Sequence, residues 1–337
     1  MSRQIKIAIN GLGRIGRCVL RAIHENGFKE FDIVAVNGPA PADTHVHLLK
    51  YDSIHGIFPH VEKISEDEIA IDNKKIKLFQ EKDPAKLPWG DLGIDIVLEC
   101  TGKFKTTEDL TKHLAAGAKK VLVSAPVDGE EVMIVYGVNN GALLPDHKII
   151  SVGSCTTNCL APVAKVLNDS IGIEKGFMTT IHAYTNDQNI MDNSHKDLRR
   201  ARAAAMSMIP TSTGAAKSIS KVIPELKGKL DGTSIRVPVP NVSMIDLTFT
   251  SVKPTSGDEI NKIIKKASEG SLKGILGFND EDLVSVDFLH NSHSSIFDAT
   301  GTKVVGGNFC RVVSWYDNEW GFSIRMLDVA NLIAKAL

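Results

Sequence analysis

The sequence predicts an α/β protein of two domains, the first built on a parallel sheet and the second, of the α+β type, on a mixed or antiparallel sheet. Three observations support this prediction. The chain has 337 residues, which is more than a single domain usually contains. Its first half alternates short β-rich segments with helical patterns, which is typical of a parallel sheet covered by helices on both faces. After Cys155 the strand candidates become longer, and apolar residues alternate with polar ones.

The elements of the first half follow from these patterns. The segment Arg14–Asn26 places apolar residues at helical spacing and predicts a helix. Short apolar segments predict four strands. These strands are Gln4–Asn10, Asp32–Asn37, Asp95–Glu99 and Lys120–Ser124.

In the second half, two-residue alternation predicts strands over Gly176–Tyr184 and Val242–Val252. A helical pattern covers Asp258–Glu269. The final segment, Phe322–Leu337, again has apolar residues at helical spacing, so we expect a closing amphipathic helix.

Composition narrows the class of protein. The chain is 43% hydrophobic and 23% charged with a net charge of −1, so no overall field attracts it to nucleic acid or to a membrane surface. No segment approaches the length of a transmembrane span, and the first residues lead directly into a strand pattern instead of a signal peptide. The five cysteines are odd in number and scattered, which favours a reducing compartment. We therefore expect a cytoplasmic protein without a dedicated nucleic-acid or membrane partner.

A glycine-rich turn lies between the first strand and the first helix. Gly11, Gly13 and Gly16 form the pattern G-x-G-x-x-G, and Arg14 and Ile15 open the helix within it. In this context Gly11 allows a tight turn, Gly13 lets a pyrophosphate approach the backbone, and Gly16 lets the helix pack on the strand. The turn therefore predicts a dinucleotide-binding domain of the Rossmann type. The alternative is an ordinary structural turn, because glycine turns after strands are common.

The second strand lacks the acid that usually accompanies such a turn. In NAD-binding domains a carboxylate at the end of this strand binds the adenine ribose. Here the strand ends at Asn37 and is followed by Gly38, while Asp32 starts the strand and Asp43 lies further into the loop. Either Gly38 only makes a turn, or its lack of charge and the space beside it accommodate a 2′-phosphate.

Cys155 is the candidate nucleophile. It follows Ser154 and precedes Thr156 and Thr157 at the start of a helical pattern. Positive partial charge at a helix N-terminus favours the thiolate, and a nearby imidazolium would lower the pKa of the thiol further. Cys159 lies one helical turn later and is interpreted as a core thiol.

His182, which ends a strand-like segment, is the candidate base for Cys155. Spacing alone does not settle this pairing, because any of the 11 histidines could approach a cysteine in the fold. The neighbouring pairs His45/His47 and His290/His293 lack the wider ligand set of a metal site. The sequence therefore predicts no metal ion.

Six segments together resemble phosphorylating glyceraldehyde-3-phosphate dehydrogenases, in the order and spacing of that family and over essentially the whole chain. The most specific are SCTTNC and the DLRRARAA portion of the fourth segment. The segments are AINGLGRIGR (8–17), SCTTNC (154–159), HAYTNDQ (182–188), HKDLRRARAAA (195–205), STGAAK (212–217) and WYDNEWG (315–321).

The resemblance implies a reaction. Cys155 would attack the aldehyde carbon of glyceraldehyde 3-phosphate to give a hemithioacetal. His182 would take the hydroxyl proton while a hydride passes to NAD or NADP, and would help the Cys155 N–H group to hold the oxyanion. Inorganic phosphate would then cleave the thioester to give 1,3-bisphosphoglycerate, a reversible step of glycolysis and gluconeogenesis.

The resemblance also implies two anion sites. Thr185 and Arg236 correspond to the site for the substrate's phosphate, and Arg200 corresponds to an arginine between the two anions. Ser154, Thr156, Thr213 and Gly214 correspond to the inorganic-phosphate site. Two alternatives remain open, since Arg200 could belong to a solvated basic face and Thr213–Gly214 could be an ordinary helix cap.

Further implied roles concern the coenzyme and the assembly. Asn318 would orient the nicotinamide carboxamide, and Lys82 and Ser124 match positions at the coenzyme site. The family forms homotetramers. The implied domains are residues 1–154 with the C-terminal helix 319–337 for NAD(P), and residues 155–318 for catalysis.

The sequence departs from the family pattern at three places. The family usually has asparagine at the position of Val152 and aspartate at the position of Gly38. The change at Val152 puts no named catalytic step in doubt. NAD-specific members have Leu-Pro where this chain has Asn193-Ser194, in a loop that a neighbouring subunit lays over the adenine ribose. Gly38 and Ser194 together predict that NADP is accepted.

Two rival functions remain. An erythrose-4-phosphate dehydrogenase shares the fold and chemistry, but the segments Thr185–Asp187 and Ser212–Gly214 are of the glyceraldehyde type. A non-catalytic dinucleotide-binding interaction protein would not need the intact motifs around Cys155 and His182.

Overall fold

A computed structural model describes residues 4–337, which divide into two compact units. The first unit contains the residues up to Ile134 together with Asn140–Gly153 and Ser323–Leu337. The second unit contains Val135–Asn139 and Ser154–Phe322.

The first unit is built on a sheet in which, within residues 4–337, nine strands are hydrogen-bonded in the order β10-β11-β9-β8-β1-β2-β7-β6-β5. The pairs from β10 to β7 are parallel, and β7, β6 and β5 pair antiparallel. A separate antiparallel pair is formed by β3 and β4. The strands are β1 (Ile5–Asn10), β2 (Phe31–Asn37), β3 (Tyr51–Asp52), β4 (Gly56–Ile57), β5 (Val61–Lys63), β6 (Glu68–Ile71), β7 (Lys74–Phe79), β8 (Ile96–Glu99), β9 (Lys120–Val123), β10 (Val132–Met133) and β11 (Ile149–Ser151).

The chain leaves β1 toward β2 on one side and later returns to β8 on the other. The carboxyl ends of β1 and β8 therefore flank the point at which the strand order reverses, where open α/β sheets bind ligands. The central strands are buried because helices lie over a parallel sheet, and Ile7, Ile9 and Val97 have no exposed surface. The helices of this part of the chain are α1 (Arg14–Glu25), α2 (Ala42–Lys50), α3 (Trp89–Leu92) and α4 (Thr107–Ala115).

The second unit is built on a mixed sheet with the strand order β13-β14-β12-β15-β18-β17-β16. The pairs β12–β14 and β16–β17 are parallel, and the others are antiparallel. The elements are α5 (Cys155–Ser170), β12 (Ile173–Ala183), β13 (Ile209–Ser212), α6 (Ala215–Val222), β14 (Leu230–Val237), β15 (Ser243–Ser251), α7 (Gly257–Glu269), β16 (Leu276–Asn279), β17 (Ser295–Val305), β18 (Phe309–Tyr316) and α8 (Trp320–Ala334), which continues into the first unit.

The predicted fold class is confirmed, because the first sheet is mainly parallel and the second is mixed. The expected amphipathic character of the last helix is wrong. In α8 every residue from Trp320 to Leu327 is buried, including Ser323 and Arg325, so the helix has no solvent-facing stripe over its first two turns. No helix within residues 4–337 combines the length and apolar character needed to cross a membrane.

Candidate active site

Cys155 and His182 lie side by side in the second unit. Cys155 is the first residue of α5, and Ser154 caps this helix by accepting a hydrogen bond from the Thr157 N–H group at 3.0 Å. His182 lies near the end of β12, with its Nε2 atom 3.5 Å from Cys155 Sγ. The distance matches a nucleophile and base in contact before substrate binds.

The hydrogen bond on the far side of the imidazole determines which nitrogen faces the thiol. His182 Nδ1 lies 2.6 Å from the Ala183 carbonyl oxygen, and a carbonyl can only accept. Arg236 Nη1 also lies 3.1 Å from Nδ1, but it can donate to the same carbonyl oxygen instead. Nδ1 therefore carries the proton, and the Nε2 lone pair faces Cys155. Burial, reinforced by the nearby positive charge of Arg236, lowers the pKa of His182 to about 3, so the ring is a neutral base near neutral pH.

The expectation of a stabilised thiolate is not met in the structure. Burial raises the pKa of Cys155 and outweighs the opposing influence of Arg236 and the Thr156 donor groups. A neutral His182 also supplies no imidazolium charge to stabilise the thiolate. The pair consists of a thiol and a neutral imidazole, so the nucleophile forms when its proton moves to His182 Nε2.

Arg236 lies beside this pair because β14 pairs in parallel with β12, which places Arg236 opposite His182. Its Nη1 donates to the Ala183 carbonyl oxygen at 3.1 Å and to Thr185 Oγ1 at 3.4 Å. Its Nε is buried and has no hydrogen-bond partner within residues 4–337. An unpaired buried guanidinium nitrogen is costly and fits a site that receives an anion.

Arg200 does not belong to a solvated basic face, unlike its exposed neighbours Arg199 and Arg202. It is half-buried and paired with Asp187. Its Nε also donates to Thr211 Oγ1 at 2.9 Å. Asp187 is a partner that the sequence interpretation did not assign.

The remaining residues of the predicted phosphate site lie at helix starts. Thr213 and Gly214 form the turn between β13 and α6, where Thr213 Oγ1 accepts a hydrogen bond from the Ala215 N–H group at 3.2 Å. This hydrogen bond closes a turn before α6, whose N-cap residue is Gly214. Thr156 is buried in the first turn of α5.

Tyr316 is a residue of the site that sequence reasoning missed. Its buried hydroxyl lies 2.9 Å from both Thr156 Oγ1 and Thr180 Oγ1, and its ring meets His182 edge to face at 6.0 Å. It connects the first turn of α5 to β12 and thereby holds the thiol against the base. The signal was present, because Tyr316 belongs to one of the segments that carried the family resemblance.

Two hydrogen bonds link Asn318 to the end of β12. Ala183 donates its N–H group to Ser243 Oγ at 3.0 Å, and the Ser243 hydroxyl donates to Asn318 Oδ1 at 2.7 Å. This chain fixes the orientation of the Asn318 amide, since the amide oxygen is the acceptor.

The glycine turn of the first unit has the geometry of a dinucleotide cradle. Gly11 has a φ of +100°, and a Cβ atom there would lie 2.6 Å from the Thr101 nitrogen. A Cβ at Gly16 would lie 1.9 Å from the Gly11 carbonyl oxygen, whereas a Cβ at Gly13 would have no other atom within 4 Å. The first and third glycines are thus required by packing, and the second leaves room for a ligand, as a pyrophosphate requires.

Arg14 and Ile15 open α1 directly after this turn. Arg14 forms a two-pronged ion pair with Asp52, at 2.5 and 3.0 Å. Burial alone would raise the pKa of Asp52, but the Arg14 guanidinium and two backbone N–H groups hold it well below its usual range. The pair fixes the first residue of the helix.

The space expected beside Gly38 is occupied. A Cβ atom at Gly38 would lie 2.7 Å from both Cε1 and Nε2 of His45, which reaches back from α2. His45 is buried, and its Nε2 has no hydrogen-bond partner within residues 4–337. Burial lowers its pKa, and Arg17 does so too, so the ring is neutral near neutral pH. Sequence reasoning considered His45 only as a metal ligand and so missed this contact.

A buried polar network joins the carboxyl ends of three strands in the first unit, and none of its members was predicted. Asn37 donates to Asn10 Oδ1 at 2.7 Å, and Asn10 donates to Glu99 Oε2 at 2.5 Å. Glu99 also accepts the Thr101 N–H group at 2.7 Å. The network fixes the strand ends around the glycine turn.

The other predicted coenzyme residues lie at several places. Ser124 follows β9 and is half-buried, and Lys82 is exposed after β7. Ser194 lies in the second unit, exposed, with its N–H group donating to Asn193 Oδ1 at 2.8 Å.

Comparisons with known proteins agree with this geometry. Residues 5–107 match the family model described as glyceraldehyde 3-phosphate dehydrogenase, NAD binding domain, and residues 154–318 match that of the C-terminal domain. A glyceraldehyde-3-phosphate dehydrogenase of Xanthobacter flavus is 59% identical, over 98% of this chain and 99% of the relative. That of Cereibacter sphaeroides is 55% identical over 99% of both, and enzyme 1 of Bacillus subtilis is 52% identical over 98% of both. The chain therefore belongs to the glyceraldehyde-3-phosphate dehydrogenase family.

Proposed function

We propose that this protein is an NAD-dependent oxidoreductase that converts glyceraldehyde 3-phosphate and inorganic phosphate into 1,3-bisphosphoglycerate through a thioester on Cys155. The observation that carries the proposal is the contact between Cys155 Sγ and His182 Nε2 at 3.5 Å. The relatives named as glyceraldehyde-3-phosphate dehydrogenases, each aligned over nearly its whole length, support the substrate.

Cys155 and His182 exchange the protons of the covalent steps. Cys155 gives its proton to His182 Nε2 as the thiolate attacks the aldehyde carbon, and His182 passes that proton to the new oxyanion to give the hemithioacetal. His182 then removes the hydroxyl proton as the carbon loses a hydride, for which the bound dinucleotide supplies the acceptor. Hydrogen phosphate attacks the thioester carbon and releases its own proton to solvent, the C–S bond breaks, and the thiolate recovers its proton from His182.

The anion sites follow from the donors around this pair. Arg236 and Thr185 would bind the substrate's phosphate, consistent with the buried, unpartnered Nε of Arg236. Ser154, Thr156, Thr213 and Gly214 would receive inorganic phosphate. The half-buried guanidinium of Arg200 would add positive charge between the two.

The dinucleotide would lie on the first domain. Gly11, Gly13 and Gly16, with Arg14 and Ile15, would hold the pyrophosphate. Lys82 and Ser124 would line the rest of the coenzyme site, and Asn318 would hold the nicotinamide carboxamide. This assignment takes residues 1–154 with 319–337 as the coenzyme domain and 155–318 as the catalytic domain.

The coenzyme includes NADP as well as NAD. A carboxylate at the end of β2 would repel a 2′-phosphate, and at this position the chain has Gly38 with a neutral imidazole behind it. Ser194 supplies a hydroxyl where NAD-specific relatives have proline. The test is kcat/KM of the wild-type enzyme with each coenzyme, and an enzyme that turns over with NAD alone would exclude NADP acceptance.

A homotetramer in the cytoplasm is the proposed form. Five large apolar side chains on the segment between β12 and β13 are more than 70% exposed, which is unusual unless another copy covers them. They are Ile190, Met191, Leu198, Met206 and Met208. All five cysteines are free, which suits a reducing compartment. Light scattering of the purified protein tests the assembly, and a monomer at micromolar concentration would refute it.

The chemical proposal is tested at the nucleophile. Iodoacetamide should label Cys155 first, because the other four cysteines are buried. Cys155→Ser should lower kcat by more than about a thousandfold while the dissociation constant of NAD stays within a few-fold. Wild-type turnover by Cys155→Ser would refute the thioester. Faster oxidation of erythrose 4-phosphate than of glyceraldehyde 3-phosphate would instead indicate the related dehydrogenase.

A further inference from the structure

Three potential metal ligands that are far apart in the sequence converge on the surface of the first unit. His24 lies in the last turn of α1, His60 precedes β5, and Asp72 lies in the turn between β6 and β7. His24 Nδ1 is 3.1 Å from Asp72 Oδ2, and His60 Nδ1 is 2.9 Å from Asp72 Oδ1. The three ligand atoms all lie within 4.8 Å of one another.

The surrounding structure holds the two imidazole rings in place. Their centroids are 4.3 Å apart, and each packs against the buried ring of Phe58, at 5.3 Å for His24 and 5.1 Å for His60. The Asp72 N–H group donates to the His60 carbonyl oxygen at 3.0 Å. Asp72 itself has a φ of +46°, a left-handed conformation that turns its carboxylate toward the histidines. The ligands therefore come from a helix, a strand start and a tight turn that are already joined.

The spacing suits a small divalent ion. Zinc bound by nitrogen and oxygen at about 2.0–2.1 Å has tetrahedral ligand atoms about 3.3 Å apart. In the structure the two ring nitrogens lie 3.1 and 2.9 Å from different oxygens of Asp72, and one ligand atom from each residue lies within 4.8 Å of the others, so small side-chain rotations bring the three to this spacing. The C-terminal end of α1, where His24 lies, also carries negative partial charge, which favours a cation there.

We propose that His24, His60 and Asp72 form a binding site for a divalent transition-metal ion of the zinc class, with water as the fourth ligand. Both rings bind through Nδ1, so the proton on each Nδ1 moves to Nε2, which faces away from the ion. The Asp72 carboxylate gives up its two hydrogen bonds, one from each ring to each oxygen, and binds the metal through one oxygen. The ion links α1 to the β5–β7 strands and stabilises the first unit.

The site is distinct from the proposed catalytic chemistry. Its three residues belong to the first unit, whereas Cys155 and His182 belong to the second. The sequence predicted no metal because these ligands are 36 and 12 positions apart, far from the short spacing of a recognisable ligand pair.

The experiment measures metal binding directly in the full chain. Cys155→Ser serves as the background, so that the reactive thiol cannot bind the ion. Zn²⁺ is titrated by calorimetry, and Co²⁺ is followed by its visible absorption, which reports tetrahedral coordination. We expect one ion per chain in this background and in the matched control His47→Ala, an exposed histidine outside the cluster. His60→Gln and Asp72→Asn should each weaken binding at least tenfold.

Several outcomes would overturn the proposal. Binding that is unchanged in both variants would place the ion elsewhere, and no saturable binding in the background protein would leave the cluster as a hydrogen-bonded His–Asp group only. His60 is more than a third exposed and asparagine tolerates the left-handed conformation of Asp72, so both variants should fold. The NAD dissociation constant of each variant checks that the first unit is intact.

Discussion

The chemical site and the coenzyme site differ in how their key residues are supported. Around Cys155 and His182 the neighbouring side chains are joined by hydrogen bonds. Tyr316 bonds Thr156, and Arg236 bonds the same carbonyl oxygen as His182. At the end of β2 the network of Asn37, Asn10 and Glu99 holds the backbone, and the space beside the following Gly38 is occupied by the imidazole of His45. The catalytic side chains of the first site contact one another, whereas a side chain introduced at position 38 would meet chiefly this one ring. Substitutions should therefore abolish function at the first site and redirect it at the second.

The largest expected effect comes from removing the base. His182→Asn retains a group near the Ala183 carbonyl oxygen but loses the Nε2 lone pair that faces the thiol. We expect kcat for glyceraldehyde 3-phosphate to fall by about 10²–10⁴-fold, with little change in NAD binding. His47→Asn is the matched control and should keep wild-type kcat. If His182→Asn retained more than a tenth of wild-type kcat, the assignment of the base would be wrong.

Arg236 tests whether the support around the pair also binds substrate. Arg236→Leu should weaken transition-state binding of glyceraldehyde 3-phosphate by about 2–5 kcal/mol, because a desolvated phosphate loses its charged partner. Unphosphorylated glyceraldehyde, which has no such anion, should be affected much less. The exposed Arg202→Leu provides the control for loss of a positive charge. Equal losses for both aldehydes would show that Arg236 acts only by orienting His182.

The chemical site could be predicted from sequence further than the coenzyme site could. Cys155 and His182 lie in short segments whose residues are specific, and the pairing of β12 with β14 that adds Arg236 is a consequence of the mixed sheet. The contact of His45 with Gly38 depends on the path of the loop between β2 and α2, which no periodicity encodes. The pKa of Cys155 could not be predicted either, because burial depends on the assembled fold and here opposes the effect of the helix terminus.

The coenzyme pair can be separated by a double-variant cycle. Gly38→Asp should not simply convert the enzyme to NAD, because its Cβ would lie 2.7 Å from the His45 ring. We expect KM to rise for both coenzymes and Tm to fall relative to the open-position control Gly141→Asp. Adding His45→Ala should make room for the carboxylate and restore NAD use. In this double variant kcat/KM with NADP should be at least tenfold lower than with NAD, a difference of about 1.4 kcal/mol.

Two outcomes of this cycle would be informative. A Gly38→Asp enzyme that is stable and rejects NADP without the second change would show that His45 moves aside easily. A double variant that still uses both coenzymes equally would mean that position 38 does not face the 2′-phosphate. Ser194→Pro, measured alone and in the double variant, separates the contribution of that loop.

The last expected effect concerns acid stability instead of turnover, and it returns to the buried base. The pKa of His182 is about 3 in the folded chain and near 6.5 when unfolded, so the unfolded state binds more protons between these values. The contribution of the neutral ring to the free energy of unfolding is therefore complete above pH 6.5 and is lost as the pH falls toward 3. At pH 5 the loss should be about 2 kcal/mol relative to pH 7.

Urea titrations at both pH values should show a larger fall in the unfolding midpoint for the wild type than for His182→Asn, which has no proton to gain. Because His45 is also buried and neutral, part of the acid sensitivity should persist in that variant and diminish only when His45→Ala is added. Equal pH sensitivity of the wild type and His182→Asn would mean that burial does not lower the pKa of the imidazole, and His182 would then be a stronger base toward Cys155 than its burial implies.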